Sequence, residues 1–475
     1  AFLDARVWLD FNGSQRAEGA NLERLLNALI ARKPPAENSP SAIAETSERK
    51  VTDEFVARVR VAAVGNSRQI EKVLDEWSRT ASTDAAPLIA AAEVLVGKAE
   101  FERALAVLEK APEMLRVRQL RAFALRKQGH IDESIALFEA LQREGNLDAE
   151  TGGLLAGSYK ARWLRTGDLG FRQRAYVLYS DAFERAGDPF NGINAAAMAL
   201  YCGDEAKMYH YAEKVIETLR ERPVDSLDYW DMATLGEGYL LKKRFDDARD
   251  WYARAVGKAA GLHQNIAVMR RQARQNLKAL NRPPDQLDDV LPVPRVLAYI
   301  GHMVDTPGRA PPRFPASKVG AVRLAIRAQI AQHGALHGFG CAARGADLLF
   351  LEELARRGLT ATIVLPFPEP DFCAVSVGGP WDSRFAKLRE TPGIEFAKPL
   401  QDIRPAEDRL QSAFADANQE VLRRAIEYAG RLDEIPVVIA VWDGQPGDGP
   451  GGTAEAVELW RAEGYAVEVI DITKL

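Results

Sequence analysis

Between Val51 and Ala279 apolar residues recur at helical spacing, helix after helix, almost without strand signals. Part of this run repeats itself. Phe101–Glu109 (FERALAVLE) aligns with Ile131–Glu139 (IDESIALFE), thirty residues on, and Arg244–Val256 (RFDDARDWYARAV) has the same texture. Each unit carries a large apolar residue, a small one three positions later, and then an apolar stripe. Small residues let paired helices approach closely, and stacked pairs bury a continuous core that no isolated pair could bury. The pattern predicts an α-solenoid of tetratricopeptide type over residues 51–280, with an irregular period. Trp163, Trp230, Trp251 and Tyr229 fall at helical spacing and are expected in its core. Asn194, in GINAA, is expected as a buried polar anchor, with ligand contact as the alternative.

Two stretches punctuate the chain. Lys33–Lys50 is rich in Pro, Ser and charge and reads as a linker over 34–50. Asn281–Pro294 (NRPPDQLDDVLPVP) reads as a second linker, over 281–293. After it the texture changes. Strand patterns at Arg295–Ile300, Ala335–Gly340, Leu359–Phe367, Pro436–Trp442 and Ala466–Ile472 alternate with helical ones at Val322–Gln332, Gly345–Gly358, Ala406–Arg431 and Thr453–Gly464. Buried-type strands alternating with helices argue for a parallel, doubly wound sheet over 294–475. The expected fold class is thus α plus α/β, multidomain: a solenoid followed by a Rossmann-like domain.

Composition narrows the function classes. With 475 residues, 47% hydrophobic and 27% charged, the chain can bury large cores. A net charge of -5 gives no support for nucleic-acid binding by bulk attraction. No apolar run approaches the ~18 residues of a membrane span, and no signal peptide or lipidation motif is seen. Three widely spaced cysteines form no metal pattern and suggest a reducing cytoplasm. The first residues, AFLDARVWLDF, read as a strand already under way. GANLERLLNALIAR then reads as an amphipathic helix, with Leu22, Leu25, Leu26, Leu29 and Ile30 on one side. Residues 1–33 are therefore expected to be the tail of an upstream domain of a longer protein.

In an open parallel sheet, ligands bind beyond the carboxyl ends of the strands. Three candidate loops leave such ends. Gly301–Pro315 (GHMVDTPGRAPPRFP) carries Gly301, His302, Asp305, Arg309 and Arg313. Its two arginines suit a phosphate, or else pair with surface carboxylates. His302 is a ligand contact or a satisfied loop histidine. Gly338–Phe350 (GFGCAARGADLLF) carries Gly340, Cys341, Arg344, Gly345 and Asp347. Its glycines precede a helix whose N–H groups and dipole would face an anion. Asp347 would lie in the first turn, as a ligand contact or a capping carboxylate. Cys341 reads as a packing residue rather than a nucleophile, since no partner base is placed beside it. The third loop, Gly444–Glu455, carries Gly451, Gly452, Thr453 and Glu455. It is a nucleotide cradle or a solvated glycine turn.

Some of these motifs resemble known families. Asp148–Leu164 (DAETGGLLAGSYKARWL), Phe190–Leu200 (FNGINAAAMAL) and Asp228–Leu241 (DYWDMATLGEGYLL) resemble the TRAFs-binding domain, found in apoptosis-signal-regulating kinases and in bacterial multidomain proteins. That resemblance covers roughly residues 55–280 and implies a regulatory helical-repeat module without an active site. GHMVDTPGR, GADLLFLEELARRG, LPFPEPDF and GDGPGGTAE resemble the SLOG superfamily of Rossmann-like modules, which bind nucleotides and nucleotide-derived signals. This covers about residues 294–475. The superfamily includes the LOG (Lonely Guy) phosphoribohydrolases, whose P-G-G-x-G-T-x-x-E loop places a glutamate three positions after the threonine. Here position three after Thr453 is Ala456, and Glu455 and Glu458 flank it. Each helical residue turns ~100°, so neither would point as that glutamate does. The resemblance implies binding without LOG-type hydrolysis. Residues 1–33, from Arg6–Phe11 and the Leu22–Ile30 helix, resemble the tail of a TIR domain. That would make the full-length protein an NAD-consuming effector.

The expected function is a regulatory or antiphage-defence protein. Its C-terminal domain would bind a nucleotide-derived ligand: a cyclic ADP-ribose-like molecule, a cyclic dinucleotide or a nucleoside phosphate. Its solenoid would couple binding to assembly of the N-terminal effector. No metal or cofactor is required, no nucleic-acid or membrane partner is expected, and a homo-oligomer and a protein partner for the repeats are expected. Two alternatives stay open: a nucleotide N-glycosidase acting at Glu455 with Arg344, and a non-catalytic interaction scaffold.

Overall fold

The computed structural model describes residues 40–64, 67–80, 82–98, 100–446 and 451–475. Contacts divide the chain into two compact units, Ala1–Leu262 with Gln272–Leu291, and His263–Arg271 with Pro292–Leu475. The TIR-like expectation for residues 1–33 lies outside the described residues.

The first unit is helical among its described residues. Its helices are α1 (Pro40–Val64), α2 (Ser67–Trp77), α3 (Ala86–Gly97), α4 (Phe101–Leu108), α5 (Leu115–Lys127), α6 (Ile131–Arg143), α7 (Ala149–Thr166), α8 (Leu169–Ala186), α9 (Pro189–Tyr201), α10 (Glu205–Arg220), α11 (Tyr229–Leu241), α12 (Phe245–Lys258) and, from Gln272 onward, α13 (His263–Ala279), whose first residues are counted with the second unit. The pairs α5–α6, α7–α8, α9–α10 and α11–α12 pack on themselves and on their neighbours. The starts of α7 to α11 share one local cause. Asp148, Asp168, Asp188, Asp204 and Asp228 are their N-caps, and each carboxylate accepts a first-turn N–H. Close approach of the pairs needs small residues. A Cβ on Gly192 of α9 would sit 2.5 Å from Val215 and 2.7 Å from Phe183, and Ala195, Ala196, Ala197 and Ala199 beside it are fully buried.

Several expectations change here. Helix α1 begins at Pro40, inside the stretch read as a linker over 34–50. The stretch read as a linker over 281–293 is a series of turns that buries Leu287 and Leu291. Its proline and charge content looked like solvated chain, but two spaced leucines suffice to hold it down. Tyr229 is buried, whereas Trp163, Trp230 and Trp251 are only half-buried, because an indole on a thin helical layer seldom finds cover on every side. The buried polar anchor of α9 is Asn191, and Asn194 is half-buried.

The second unit is built on a six-stranded parallel sheet. Its strands are β1 (Arg295–Gly301), β2 (Ala335–Gly340), β3 (Thr360–Ile363), β4 (Ile394–Phe396), β5 (Val437–Trp442) and β6 (Val467–Asp471), in the order β4-β3-β2-β1-β5-β6. Between them run α14 (Val319–Gln332), α15 (Ala346–Arg356), α16 (Glu369–Ser376), α17 (Asp382–Arg389), α18 (Leu410–Arg431) and α19 (Thr453–Ala462). Side chains alternate across the sheet. Leu297 and Tyr299 of β1, with Ile439 and Val441 of β5, pack against α14, α15 and α17. Val296, Ala298 and Ile300, with Val438 and Ala440, pack against α18 and α19. Both faces are thus covered, which is why the strands read as continuous apolar runs. The three-residue β4 and the short helices α16 and α17 were missed by the sequence reading; they are too short to carry a period.

Candidate functional site

The sheet order builds the site. From β1 the chain winds outward through β2, β3 and β4, then returns to lay β5 and β6 on the other side of β1. Winding reverses between β1 and β5, and in open parallel sheets such a switch point is where ligands bind, at the carboxyl edge. Gly301 lies beside Val441 in register. The residues one and two steps further on, His302 and Asp443, therefore meet.

His302 Nε2 is 3.0 Å from Asp443 Oδ1. Arg313 donates to the same carboxylate twice, through Nε to Oδ2 and through Nη2 to Oδ1, each at 2.8 Å. The loop after β1 delivers Arg313 because Asp305 folds it back: Asp305 Oδ2 accepts the Arg313 N–H at 2.9 Å and the Phe314 N–H at 3.0 Å. The Arg309 guanidinium lies 3.5 Å from the Asp305 carboxylate. Burial works against the charge on Asp443, but hydrogen bonds from Arg313 and His302 outweigh it and hold the carboxylate well below its usual range. Burial also lowers the His302 pKa, opposed by the Asp443 hydrogen bond and assisted by Arg313. His302 is thus a neutral imidazole near pH 7. Of the two partners open to Arg313, a phosphate or a surface carboxylate, its bidentate grip takes a carboxylate, and a buried one.

The loop after β2 is stitched to the loop after β1. Met303 and Gly345 form an antiparallel bridge, and Ala346 N donates to His302 O at 3.1 Å. Gly345 has φ +104°, and a Cβ there would lie 2.6 Å from Val304 N and 2.7 Å from His302 O. The expected anion cradle at the start of α15 is partly filled by the protein itself, since Ala346 N and Leu348 N both have carbonyl partners. Arg344 is directed at backbone carbonyls, with Nε to Val304 O at 3.3 Å and Nη1 to Val377 O at 3.2 Å. Asp347 is 5% exposed. Its Oδ2 accepts the Ala343 N–H at 3.2 Å, while its Oδ1 has no partner among the described residues. Burial pushes its pKa up to about 7 against the pull of the Ala343 and Gly301 amides. Burial and the nearby Asp347 push the Cys341 thiol far up, which leaves it a poor nucleophile. Gly340 makes room for Tyr299, whose ring a Cβ would meet at 2.1 Å.

Residues 447–450 of the third loop lie outside the described residues. Gly451 has φ +79°, and a Cβ on it would meet Gln411 O of α18 at 2.5 Å. Asn418 Nδ2 holds Gly451 O at 3.1 Å. The Glu455 carboxylate accepts the Gly451 N–H of its own loop. Thr453 is buried, and α19 has Gly452 as its N-cap, which offers no side-chain cap. Of the expected residues, His302, Asp305 and Arg313 come together. Arg344 and Glu455 turn to the backbone, and Asp347 is buried beneath the loops. Sequence reasoning missed Asp443. The available signal was its place just after β5, matching that of His302 just after β1. Among the described residues no three His, Cys, Asp or Glu gather where they could hold a metal ion, and no helix is long and apolar enough to cross a membrane.

Comparison with known proteins bears on the helical unit. Residues 100–199 match the model of the family Tetratricopeptide Repeats-Sensor, TPR-S. These residues form tetratricopeptide-type repeats. No curated protein matches the chain. Similar solved structures include MamA 41-end from Desulfovibrio magneticus RS-1, at 17% identity over 37% of this chain and 96% of that chain, with a TM-score of 0.30. A thermophilic TPR protein of Thermus thermophilus, TTC0263, is 17% identical over 46% of this chain and 100% of that chain, with a TM-score of 0.29. The APC/C hetero-tetramer Cut9-Hcn1 is 13% identical over 61% of this chain and 58% of that chain, with a TM-score of 0.35.

Proposed function

We propose that the chain is a non-catalytic sensor whose α/β unit binds a nucleotide-derived ligand at the carboxyl edge of β1, β2 and β5. The observation that carries this reading is Asp347. It is a buried carboxylate beneath two joined loops at that edge, with one oxygen that lacks a donor. A buried acceptor without a donor costs stability, and a ribose hydroxyl is a donor of the right chemistry. Neutral His302 supplies a second polar group, held in orientation by Asp443. Glycine-opened α19 supplies first-turn N–H groups for an anionic end. Glu455 favours sensing over hydrolysis, since its carboxylate is engaged by the Gly451 amide, and a general base needs reach to its proton.

The helical repeats carry protein contacts in this proposal. Ligand binding changes the assembly of a TIR-like effector, the domain that residues 1–33 resemble. Coupling of that kind requires the ligand to favour one assembly state over another. A thermal-shift panel on this chain tests the binding step, with AMP, NAD, ADP-ribose, cyclic ADP-ribose isomers and cyclic dinucleotides as probes. A ligand at 100 times its Kd adds ~2.7 kcal/mol to the unit that binds it, a rise of roughly 5–10 °C. Chromatography afterwards should return the ligand intact. A cleaved ligand would make the chain an enzyme, and no shift with any probe would favour the interaction scaffold.

A further inference from the structure

His302 and Asp443 fix the place of one proton. Asp443 accepts two hydrogen bonds from Arg313, each at 2.8 Å, and lies 3.0 Å from His302 Nε2. An ionised carboxylate accepts and does not donate, so Nε2 is the protonated nitrogen of this contact. Burial, with the neighbouring Arg313 charge, keeps the ring neutral against the pull of Asp443. A neutral imidazole holds a single ring proton. Nδ1 is therefore a lone pair, on the side of the ring away from Asp443. It has no hydrogen-bond partner among the described residues, and unlike Asp347 Oδ1 it is not sealed from solvent.

The backbone holds the ring in that attitude. His302 N donates to Val441 O at 3.0 Å, and His302 O accepts from Ala346 N at 3.1 Å. Turning the ring over would forfeit the Asp443 bond, in a side chain that is only 9% exposed. A residue needed only to hold Asp443 requires a donor and nothing more, as glutamine or lysine would supply. Imidazole adds an oriented acceptor, at the edge where the ends of β1 and β5 lie side by side. Ionised phosphate oxygens are acceptors too and gain nothing from it. We infer that His302 Nδ1 is a specificity-determining acceptor that takes a hydrogen-bond donor of the ligand's nucleoside, a ribose hydroxyl or an exocyclic base amine. The assignment rests on the nucleotide-sensing reading and narrows it: the nucleoside, not the phosphate, faces the end of β1.

The test has two readouts on the full chain. Nitrogen-15 spectra of histidine-labelled protein, without ligand, read the tautomer; the His302 signals are those that His302→Gln removes. They should show a protonated Nε2 and a bare Nδ1 near neutral pH. A proton on Nδ1 overturns the assignment before any ligand is added. Calorimetric titration with AMP, NAD and ADP-ribose is the second readout. His302→Gln keeps a donor for Asp443 but has no acceptor where Nδ1 stands, and weakens binding about ten- to a hundredfold. His302→Asn puts an amide oxygen at the Nδ1 position and weakens it less. The 2′-deoxy, 3′-deoxy and inosine counterparts of the probe identify the donor. The one that binds wild type more weakly, and loses nothing further in His302→Gln, lacks the group that Nδ1 takes. Should His302→Gln fail to fold, His302→Asn takes its place in that cycle, and equal further losses for probe and counterparts overturn the assignment. A probe that binds wild type and His302→Gln equally overturns the assignment and leaves the nucleotide reading standing. No binding of any probe to wild type overturns both.

Discussion

Arg313 and Asp443, 130 positions apart in the chain, share two parallel hydrogen bonds of 2.8 Å at the edge where β1 and β5 end. The side chains are 11% and 8% exposed, so water offers little replacement for either partner. Asp443→Asn leaves the guanidinium buried against a neutral amide. The expected loss is about 3–5 kcal/mol, read as a lower unfolding temperature of the α/β unit. The folded pKa of Asp443 is depressed, so its contribution is present above the ordinary value of 3.8. It is lost as pH falls below that value towards the lower folded pKa. An Asp443→Asn protein with wild-type stability at pH 7 would contradict this.

Asp347 has the opposite sign. Its pKa rises from 3.8 to about 7 on folding, so its contribution is most favourable below pH 4 and is lost as pH rises through 7. The penalty above pH 7 is on the order of 4 kcal/mol at most. Asp347→Asn should therefore be more stable than wild type at pH 8 and similar at pH 4. The same variant should bind nucleotide more weakly. Calorimetric titration beside the unfolding curves separates the two effects, and a more stable variant with undiminished affinity would remove Asp347 from the ligand site.

His337 of β2 hydrogen-bonds Thr360 and Thr362 at 2.6 and 3.0 Å and stacks on Tyr428 at 4.8 Å. Burial lowers its pKa from 6.5 to about 4. Its contribution is complete above pH 6.5 and falls away as pH drops through 4, by roughly 3 kcal/mol. His337→Gln keeps a hydrogen-bonding side chain that does not titrate. Its stability should change less than wild type between pH 6.5 and 4 in circular-dichroism melts.

Gly345→Ala tests the junction of the first two loops. The substitution meets both a positive φ and backbone atoms at 2.6 and 2.7 Å, so the loops must part. A cost of about 2 kcal/mol or more is expected, with loss of nucleotide binding. A crystal structure of the variant with the Met303–Gly345 bridge intact would refute the account.

Glu455→Gln separates sensing from catalysis. Wild type and variant should both return AMP uncleaved after prolonged incubation, as judged by chromatography. Base release by wild type that the variant lacks would assign Glu455 a catalytic role.

Most of the architecture was legible in local pattern. Strands β1, β2, β3, β5 and β6 and helices α14, α15, α18 and α19 lie where periodicity predicts them, because hydrophobic spacing records which faces a segment must bury. The candidate loops were legible for the same reason: they are what lies between such segments. The use of each polar side chain was not. Arg309 and Arg313 read as suited to a phosphate or to surface carboxylates, and the sequence could not say that the partners would be Asp305 and the buried Asp443. Arg344 read as a ligand-binding charge of the loop after β2, and in the fold it holds the Val304 and Val377 carbonyls.

What the sequence determined alone was therefore the set of helices and strands and the boundary in texture near Asn281, since these rest on interactions within a few residues. Tertiary structure decided the partners. His302 meets Asp443 only because β5 returns to lie beside β1, and Lys160 reaches Gln272 from 112 positions away. A charge carries no mark of its partner along the chain. Its pairing follows from which backbones the packed cores bring within 3 Å, and that distance exists only once the fold is complete.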